Sequence, residues 1–286
     1  MRKYPLLLLV LGLGIWLVAQ ADENPKADAP KPLRILLIAG GCCHDYAAQK
    51  DVLKAGIESR IRAEVDIEYN PSKGTDTTFP KYDSDDWAKG YDVILHDECS
   101  ASVDNKDYVK RILDAHRTGT PAVNIHCAMH SYRWGDFRKP VKPGDDNAGW
   151  YEMIGIQSTG HGPKLPIDVT FTDTKHPITV GMKDWQTGKE ELYNNVQVFD
   201  SAHALATGRQ VKKGKDPDAK PTEAKAVVAW TNTYGPKKTR IFNTTLGHFT
   251  ETVADDRYLD LVTRGLLWVT DHLGEDGNAT GGYGEE

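Results

Sequence analysis

The chain has few of the residues and patterns that mark several protein classes. It holds only 4 cysteines in 286 residues, too few for a scaffold built on disulfides. Its 35 Lys and Arg stand against 41 Asp and Glu, a net charge of −6, so nothing favours a nucleic-acid partner. It also lacks the G-x-G-x-x-G and G-x-x-x-x-G-K-[ST] patterns, and we therefore discount nucleotide binding.

The sequence contains no apolar run long enough to span a bilayer comfortably. Its longest run, residues 6–18, follows Arg2 and Lys3 and ends at the small-x-small pattern Ala19-Gln20-Ala21. This arrangement predicts a signal peptide at residues 1–21 and a bacterial protein that is exported to the periplasm or secreted, with no membrane partner after cleavage. A Pro-rich linker is predicted at 22–32, one domain at 33–273, and a mobile Gly-rich tail at 274–286.

The domain shows an alternation of buried strands and amphipathic helices. Continuous apolar runs at 33–39, 91–95 and 121–125 predict central parallel strands, because such strands are buried on both faces. Helices are predicted at 47–62 and from Asp104 to about residue 119. The repeated β-α-β pattern indicates an α/β fold with a doubly wound, mostly parallel sheet.

The second half of the domain is less regular. Residues 165–172 are predicted as a strand, either of a second layer or at a sheet edge. A solvated loop is predicted at 206–225, where charged residues and prolines accumulate. Residues 226–233 and 239–246 flank Gly235-Pro236, which predicts a C-terminal β-hairpin. An amphipathic terminal helix is predicted at 255–273.

Polar side chains collect just beyond the predicted strands. In open parallel sheets, ligands bind outside the carboxyl ends of the strands. The residues expected at this edge are Cys42, Cys43, His44, Asp45, Tyr46, His96, Asp97, Glu98, Cys99, His126, Cys127 and His130. His161 and His248 also fall near turns. Three kinds of chemistry are compatible with this set.

The first is a metal site. His126 and His130 share one face if a helix begins at Cys127, and with His44, His161 and His248 they offer ligands for zinc or a similar divalent metal. The second is thiol catalysis, with Cys127 as nucleophile at a strand-to-helix turn, His248 as its base and Glu251 orienting that base; the alternative is a buried, inert Cys127.

The third is acid–base chemistry on a sugar. Asp97 and Glu98 are adjacent and point in opposite directions in an extended segment, so one of them is free to face the site. Tyr132, Trp134 and Trp150 are candidates for stacking against a sugar, or else for core packing. His116 ends an apolar helical stripe and is expected in the core. Cys42 and Cys43 are neighbours, and a bridge between them is not expected because it would be strained.

Four segments resemble the ThuA-like (trehalose-utilisation) family. They are residues 35–46 (ILLIAGGCCHDY), 121–132 (PAVNIHCAMHSY), 176–193 (HPITVGMKDWQTGKEELY) and 227–248 (VVAWTNTYGPKKTRIFNTTLGH). The resemblance implies a three-layer, flavodoxin-like domain similar to class I glutamine amidotransferases. Cys127 and His248 match the order of the amidotransferase Cys and His. The glycines expected around that Cys are replaced by His126 and Ala128, which puts glutamine hydrolysis in doubt.

The same resemblance implies a role in sugar metabolism, on keto-saccharides made by a partner sugar dehydrogenase. The leading hypothesis is therefore an exported, carbohydrate-active enzyme that uses histidine and carboxylate chemistry with an optional divalent metal. The alternatives are a Cys127/His248 thiol hydrolase and a non-catalytic carbohydrate-binding module. The predicted catalytic residues are His126, Cys127, Asp97, Glu98 and His248. The predicted substrate contacts are Asp45, Tyr46, Tyr132, Trp134, Glu191 and Tyr193. The predicted metal ligands are His44, His130 and His161.

Overall fold

A computed structural model describes residues 30–214 and 220–284, which form a sheet with helices on both faces. The predicted signal peptide and residues 22–29 of the linker lie outside the described residues. The strands are β1 (Leu33–Gly41), β2 (Ala63–Asn70), β3 (Val93–Cys99), β4 (Ala122–Ile125), β5 (Ile156–Gln157), β6 (His161–Phe171), β7 (Trp185–Tyr193), β8 (Gln197–Val198), β9 (His203–Lys212), β10 (Thr222–Tyr234) and β11 (Thr239–Thr244). The helices are α1 (Tyr46–Glu58), α2 (Lys106–Arg117), α3 (Gly149–Ile154), α4 (Thr250–Val253) and α5 (Asp256–Val269).

The main sheet has nine strands in the order β2-β1-β3-β4-β11-β10-β9-β6-β7. The first five are parallel neighbours, as the β-α-β pattern predicts. From β11 onward each strand is antiparallel to the next, and β10 pairs with β11 across the Gly235 turn. Four successive reversals make β7 run in the same direction as β11. Its carboxyl end therefore lies at the same edge of the sheet as the ends of β1, β3 and β4.

The side chains of the parallel strands alternate between two hydrophobic cores. On β1, Ile35 and Leu37 pack with α1 and α5, whereas Leu36 and Ile38 pack on the other face with α2 and α3. Both faces are covered, which explains why this strand reads as an uninterrupted apolar run. The doubly wound, three-layer prediction is confirmed.

Two predicted segments differ in the structure. The prediction of a solvated loop at 206–225 is wrong, because most of this segment belongs to β9 and β10, which pair with each other. Backbone pairing holds this ribbon together while most of its charged side chains remain in solvent, so composition alone did not reveal it. Residues 274–284, predicted as a tail, lie against the domain: the Arg62 N–H donates to the Tyr283 carbonyl, and Ile61 bridges to Gly284.

Within residues 30–214 and 220–284, no helix combines the length and apolar character needed to cross a membrane.

Helix α5 packs on the strand that leads into the candidate site, and Gly265 makes this close approach possible. A Cβ at Gly265 would lie 2.2 Å from Cδ1 of Phe242 on β11. We expect Gly265→Ala to lower the free energy of unfolding by about 1–3 kcal/mol through overpacking, measured by urea denaturation. Gly188→Ala on β7, where no atom lies within 4 Å of the added Cβ, is the matched control. Equal stabilities for the two variants would contradict this packing argument.

Candidate functional site

Side chains from four strand ends meet in one cavity at the carboxyl edge of the sheet. The cavity has a volume of about 410 Å³. Its lining residues are Cys42, Cys43, His44, Thr75, Cys99, Ala101, Cys127, His130, Arg133, His161, Lys164, Glu191, Tyr193 and His248. These residues end or follow β1, β3, β4 and β11, lie near the ends of β6 and β7, or, for Thr75, lie in the segment after β2. The predicted edge is therefore the place where most of the candidate residues converge.

His126 occupies the sharp turn that ends β4. Its φ is 41°, a left-handed value that is uncommon for a residue with a side chain. The shared face of His126 and His130 required a helix that begins at Cys127, but residues 126–130 form a short 3-10 helix instead. His126 and His130 consequently do not share a helical face. His130 stacks on Tyr193 with ring centroids 4.0 Å apart, and its Nε2 lies 2.8 Å from Ser158 Oγ.

His44, His126 and His248 form a histidine cluster. One ring nitrogen from each of the three lies within 4.8 Å of the others. The centroid of the His44 ring is 4.6 Å from that of His126 and 4.7 Å from that of His248. The first residue follows β1, the second follows β4 and the third follows β11, so only the parallel arrangement of these strands brings them together.

Backbone carbonyls fix the protonation pattern of two of these rings. Nδ1 of His126 lies 2.6 Å from the Thr245 carbonyl, and Nδ1 of His44 lies 3.3 Å from the His248 carbonyl. Because a carbonyl only accepts, each Nδ1 donates its N–H, and each Nε2 carries a lone pair. Burial, reinforced by the neighbouring His248, lowers the pKa of His44 to about 4. Burial and the neighbouring His44 hold the pKa of His126 well below 6.5, so the His44 and His126 rings are uncharged at neutral pH.

Glu191 is the carboxylate beside the histidine cluster. Its Oε2 lies 3.3 Å from Nδ1 of His248 and 3.7 Å from Nε2 of His126. Its Oε1 faces His161 Nε2 at 3.5 Å and Lys164 Nζ at 3.7 Å. Burial opposes the charge of Glu191, but these neighbours outweigh it and hold its pKa below 4.5. Tyr193 completes the group with its hydroxyl 3.2 Å from Nε2 of His126.

The loop that carries His248 is held by a buried carboxylate and a glycine. Glu190 accepts the backbone N–H of His248 at 3.0 Å and that of Phe249 at 3.4 Å. Gly247 has φ +118°, and a Cβ there would lie 2.7 Å from the Tyr258 hydroxyl. The predicted partner Glu251 is exposed and lines a different cavity. Glu191 stands beside the His248 ring instead.

The cysteines differ from the expectation. Cys42 and Cys43 are joined in a disulfide between adjacent residues, which the sequence argument did not expect. Cys99 and Cys127 are free and buried. The thiol of Cys127 donates to Cys99 Sγ at 2.7 Å, and this bond together with burial raises the pKa of Cys127 well above 9.0. That environment disfavours the thiolate that a Cys127 nucleophile would need.

Asp97 and Glu98 point to opposite faces of β3, as the extended geometry predicts, and neither lines the cavity. Asp97 faces the α1 and α5 side; its Oδ2 has no hydrogen-bond partner within the described part of the chain. Burial, then Glu98 and Cys99, raises the pKa of Asp97 well above 3.8. Glu98 faces the α2 and α3 side, where its Oε1 accepts from Tyr132 at 2.9 Å. Catalytic roles for this pair and substrate contact by Tyr132 are therefore not supported, since both strand faces are covered.

Three further residues that were predicted to contact the substrate instead pack or form hydrogen bonds within the protein. Asp45 accepts from the Ala48 N–H and caps α1. Tyr46 is buried and meets the His44 ring edge to face at 5.3 Å. Trp134 lines a separate cavity and donates to Asp146 at 3.3 Å. Of the predicted substrate contacts, only Glu191 and Tyr193 line the cavity that contains the histidine cluster.

Sequence reasoning missed Lys164, Arg133 and Glu190. The first two bring positive charge to the cavity, and the third positions His248. Lys164 follows His161 by three residues at the start of β6, but its approach to Glu191 depends on the pairing of β6 with β7. No local pattern marks that pairing.

The histidine cluster fits a divalent transition metal. Metal-binding histidines commonly donate their second ring nitrogen to a carbonyl, which fixes the lone pair on the other nitrogen. His126 and His44 do this through the Thr245 and His248 carbonyls. Three imidazoles with a nearby carboxylate are a donor set that suits zinc. Of the predicted metal ligands, His44 is in this cluster, whereas His130 and His161 are not.

The comparisons with known proteins place the chain in a family. The model of the ThuA family, described as trehalose utilisation, matches residues 34–269. A ThuA-like protein from Parabacteroides merdae is similar in structure, with a TM-score of 0.60 at 19% identity over 87% of this chain and 92% of the other. A ThuA-like protein from Bacteroides uniformis has a TM-score of 0.55 at 16% identity over 85% and 93%. No functionally curated protein matches the chain.

A separate pair of histidines, His96 and His116, lies on the face of the sheet opposite to the histidine cluster. This pair leads to a prediction about how the stability of the protein depends on pH. Nε2 of His116 is 3.1 Å from Nε2 of His96, and its Nδ1 is 2.8 Å from the Thr120 carbonyl. Burial and His96 lower the pKa of His116 from 6.5 to about 3. Between these two pKa values the unfolded chain binds a proton at His116 that the native state does not bind. The free energy of unfolding therefore falls as the pH falls through this interval.

Between pH 6.5 and pH 4, we expect the free energy of unfolding of His116→Gln to fall less steeply with decreasing pH than that of the wild type. The difference in slope is up to about 1.4 kcal/mol per pH unit. The measurement is urea denaturation at several pH values. Thr239→Val is the control because it removes the 2.6 Å hydrogen bond from Thr239 Oγ1 to the His116 carbonyl and keeps the imidazole. It should lower stability with an unchanged slope. Identical slopes for wild type and His116→Gln would contradict the prediction.

Proposed function

This chain belongs to the ThuA family, and from this premise we propose that it is an enzyme of carbohydrate breakdown that acts on a keto-bearing saccharide. The observation that carries the proposal is the convergence of His44, His126 and His248 beside Glu191, at a cavity lined by His44, His248 and Glu191. In this proposal the three histidines hold a divalent metal such as zinc. When bound, such a metal polarises a carbonyl or lowers the pKa of a water molecule.

The protein's own residues supply orientation and proton transfer. Glu191 is ionised at neutral pH and sits where it can take a proton from a bound hydroxyl or water and return it. Tyr193 offers a hydroxyl beside His126, and Lys164 and Arg133 place positive charge around the cavity. A neutral, polyhydroxylated ligand suits this lining, because hydroxyl groups both donate to Glu191 and accept from Lys164 and Arg133.

The geometry favours this chemistry over a thiol hydrolase. Cys127 is buried and donates its proton to Cys99, and the His248 ring stands beside Glu191. We propose further that the protein works outside the cytoplasm of a bacterium, on a substrate made by a sugar dehydrogenase that introduces the keto group. This part rests on the predicted signal peptide at 1–21 and on the family resemblance.

The first test is metal content. We expect wild-type protein to retain about one equivalent of zinc after dialysis, and His126→Ala and His248→Ala to retain almost none, because each loses one of three ligands. Elemental analysis measures the metal, and circular dichroism verifies the fold. The control is His203→Ala, which changes an exposed histidine on β9 that pairs with Asp173. Equal zinc content in all four proteins would refute the proposed metal site.

The second test is the carboxylate. Glu191→Gln keeps the shape and removes the charge, so we expect kcat on a keto-disaccharide to fall by roughly 10²–10⁴-fold with zinc content unchanged. Glu251→Gln, at an exposed position outside the cavity, should be as active as wild type. Saccharide binding without turnover, with or without a chelator, would instead identify a non-catalytic carbohydrate-binding module.

A further inference from the structure

The four cysteines form a continuous line of sulfur atoms, here called the sulfur array. It begins at the exposed Cys43, which is disulfide-bonded to Cys42. Sγ of Cys42 lies 3.5 Å from Sγ of Cys99. Sγ of Cys99 lies 2.7 Å from Sγ of the buried Cys127. A disulfide therefore stands in contact with a pair of free thiols, and the proposed sugar chemistry uses none of these sulfurs.

The backbone holds the disulfide against the thiols. Gly40 and Gly41 end β1 with φ values of +144° and +97°. A Cβ at Gly41 would lie 2.3 Å from the Cys99 carbonyl oxygen. Only glycine allows β1 to approach the end of β3 so closely, and this approach delivers Cys42 to Cys99. Cys127 arrives from the turn after β4, so the array again depends on adjacent parallel strands.

We propose that the sulfur array is an internal thiol–disulfide exchange relay, which moves a disulfide between the Cys42–Cys43 pair, whose Cys43 is exposed, and the buried Cys99–Cys127 pair. In the first step the Cys99 thiolate attacks Cys42 Sγ. A Cys42–Cys99 bond forms, the Cys42–Cys43 bond breaks, and Cys43 leaves as a thiolate that takes a proton from water.

In the second step Cys99 is part of the mixed disulfide, so its thiolate no longer holds the proton on Cys127. Cys127 transfers that proton to the departing Cys42 sulfur and attacks Cys99 Sγ. A Cys99–Cys127 bond forms, the Cys42–Cys99 bond breaks, and Cys42 leaves with a proton. Overall the Cys99–Cys127 pair is oxidised and the Cys42–Cys43 pair is reduced by two electrons and two protons. The exchange is balanced within the chain and needs no outside oxidant. Exposed Cys43 then presents a free thiol at the mouth of the cavity.

The local charges support attack from Cys99. The S–H of Cys127 donates to Cys99 Sγ, and the Arg133 guanidinium lies at the same cavity. Both favour the thiolate of Cys99, which is the attacking species in disulfide exchange. The relay is independent of any metal and of any reaction on a saccharide, so it is tested by connectivity alone.

Digestion with trypsin places the four cysteines on three different peptides. Cys42 and Cys43 share peptide 35–50, Cys99 is in peptide 90–106 and Cys127 is in peptide 118–133. The full chain, purified without reductant, is titrated with limiting dithiothreitol, quenched in acid, unfolded, alkylated with N-ethylmaleimide and analysed by mass spectrometry. We expect a species in which 90–106 is cross-linked to 118–133 while 35–50 carries two labels.

Two variants isolate the steps. Cys127→Ser should stop the relay after the first exchange and accumulate 35–50 cross-linked to 90–106. Cys99→Ser should show only the Cys42–Cys43 bridge or its fully reduced form, because both steps pass through Cys99. Circular dichroism of each variant verifies the fold. The proposal is overturned if the wild type, at every point of the titration, contains only those two forms and neither cross-link.

Discussion

The candidate site depends on the packing of three imidazoles at an edge where strands of the same direction end. Each of His44 and His126 needs a hydrogen-bond acceptor for one N–H, and the Thr245 and His248 carbonyls provide it. Without such acceptors, burying a polar ring costs about 1–3 kcal/mol. The backbone is constrained at two points of this arrangement, because Gly247 and His126 both have positive φ values. One ring nitrogen of each of the three histidines lies within 4.8 Å of the others.

The alternation of β3 separates two polar systems that lie next to each other in sequence. His96 and Glu98 face the α2 and α3 side, where they bond with His116, Tyr82 and Tyr132 in a closed network. Asp97 and Cys99 face the α1 and α5 side, and Cys99 reaches the sulfur array. Every donor in the first network has a partner close by, which is typical of structural polar groups. The second face leads to the cavity.

The histidine cluster and the sulfur array share their supporting elements. Residues 42–44 carry both the disulfide and His44, and residues 126–127 carry both His126 and Cys127. Glu191, Lys164 and Arg133 surround the same cavity with charges of both signs. The proposed ligand site and the four cysteines therefore lie at one edge of the sheet. This overlap explains why the sequence allowed several chemistries at the same residues.

The sequence by itself determined the doubly wound architecture and the edge at which the site lies. It did so because strand burial and helical periodicity are local, repeated patterns, and because parallel strands end at a common edge. Only the tertiary structure decided which residues at that edge meet. His130 lines the cavity but is not part of the histidine cluster, because residues 126–130 form a 3-10 helix, and Asp97 and Glu98 remained inside the covered strand. Lys164 joined the site through the pairing of β6 with β7. These outcomes depend on dihedral angles and long-range register, which no short segment encodes.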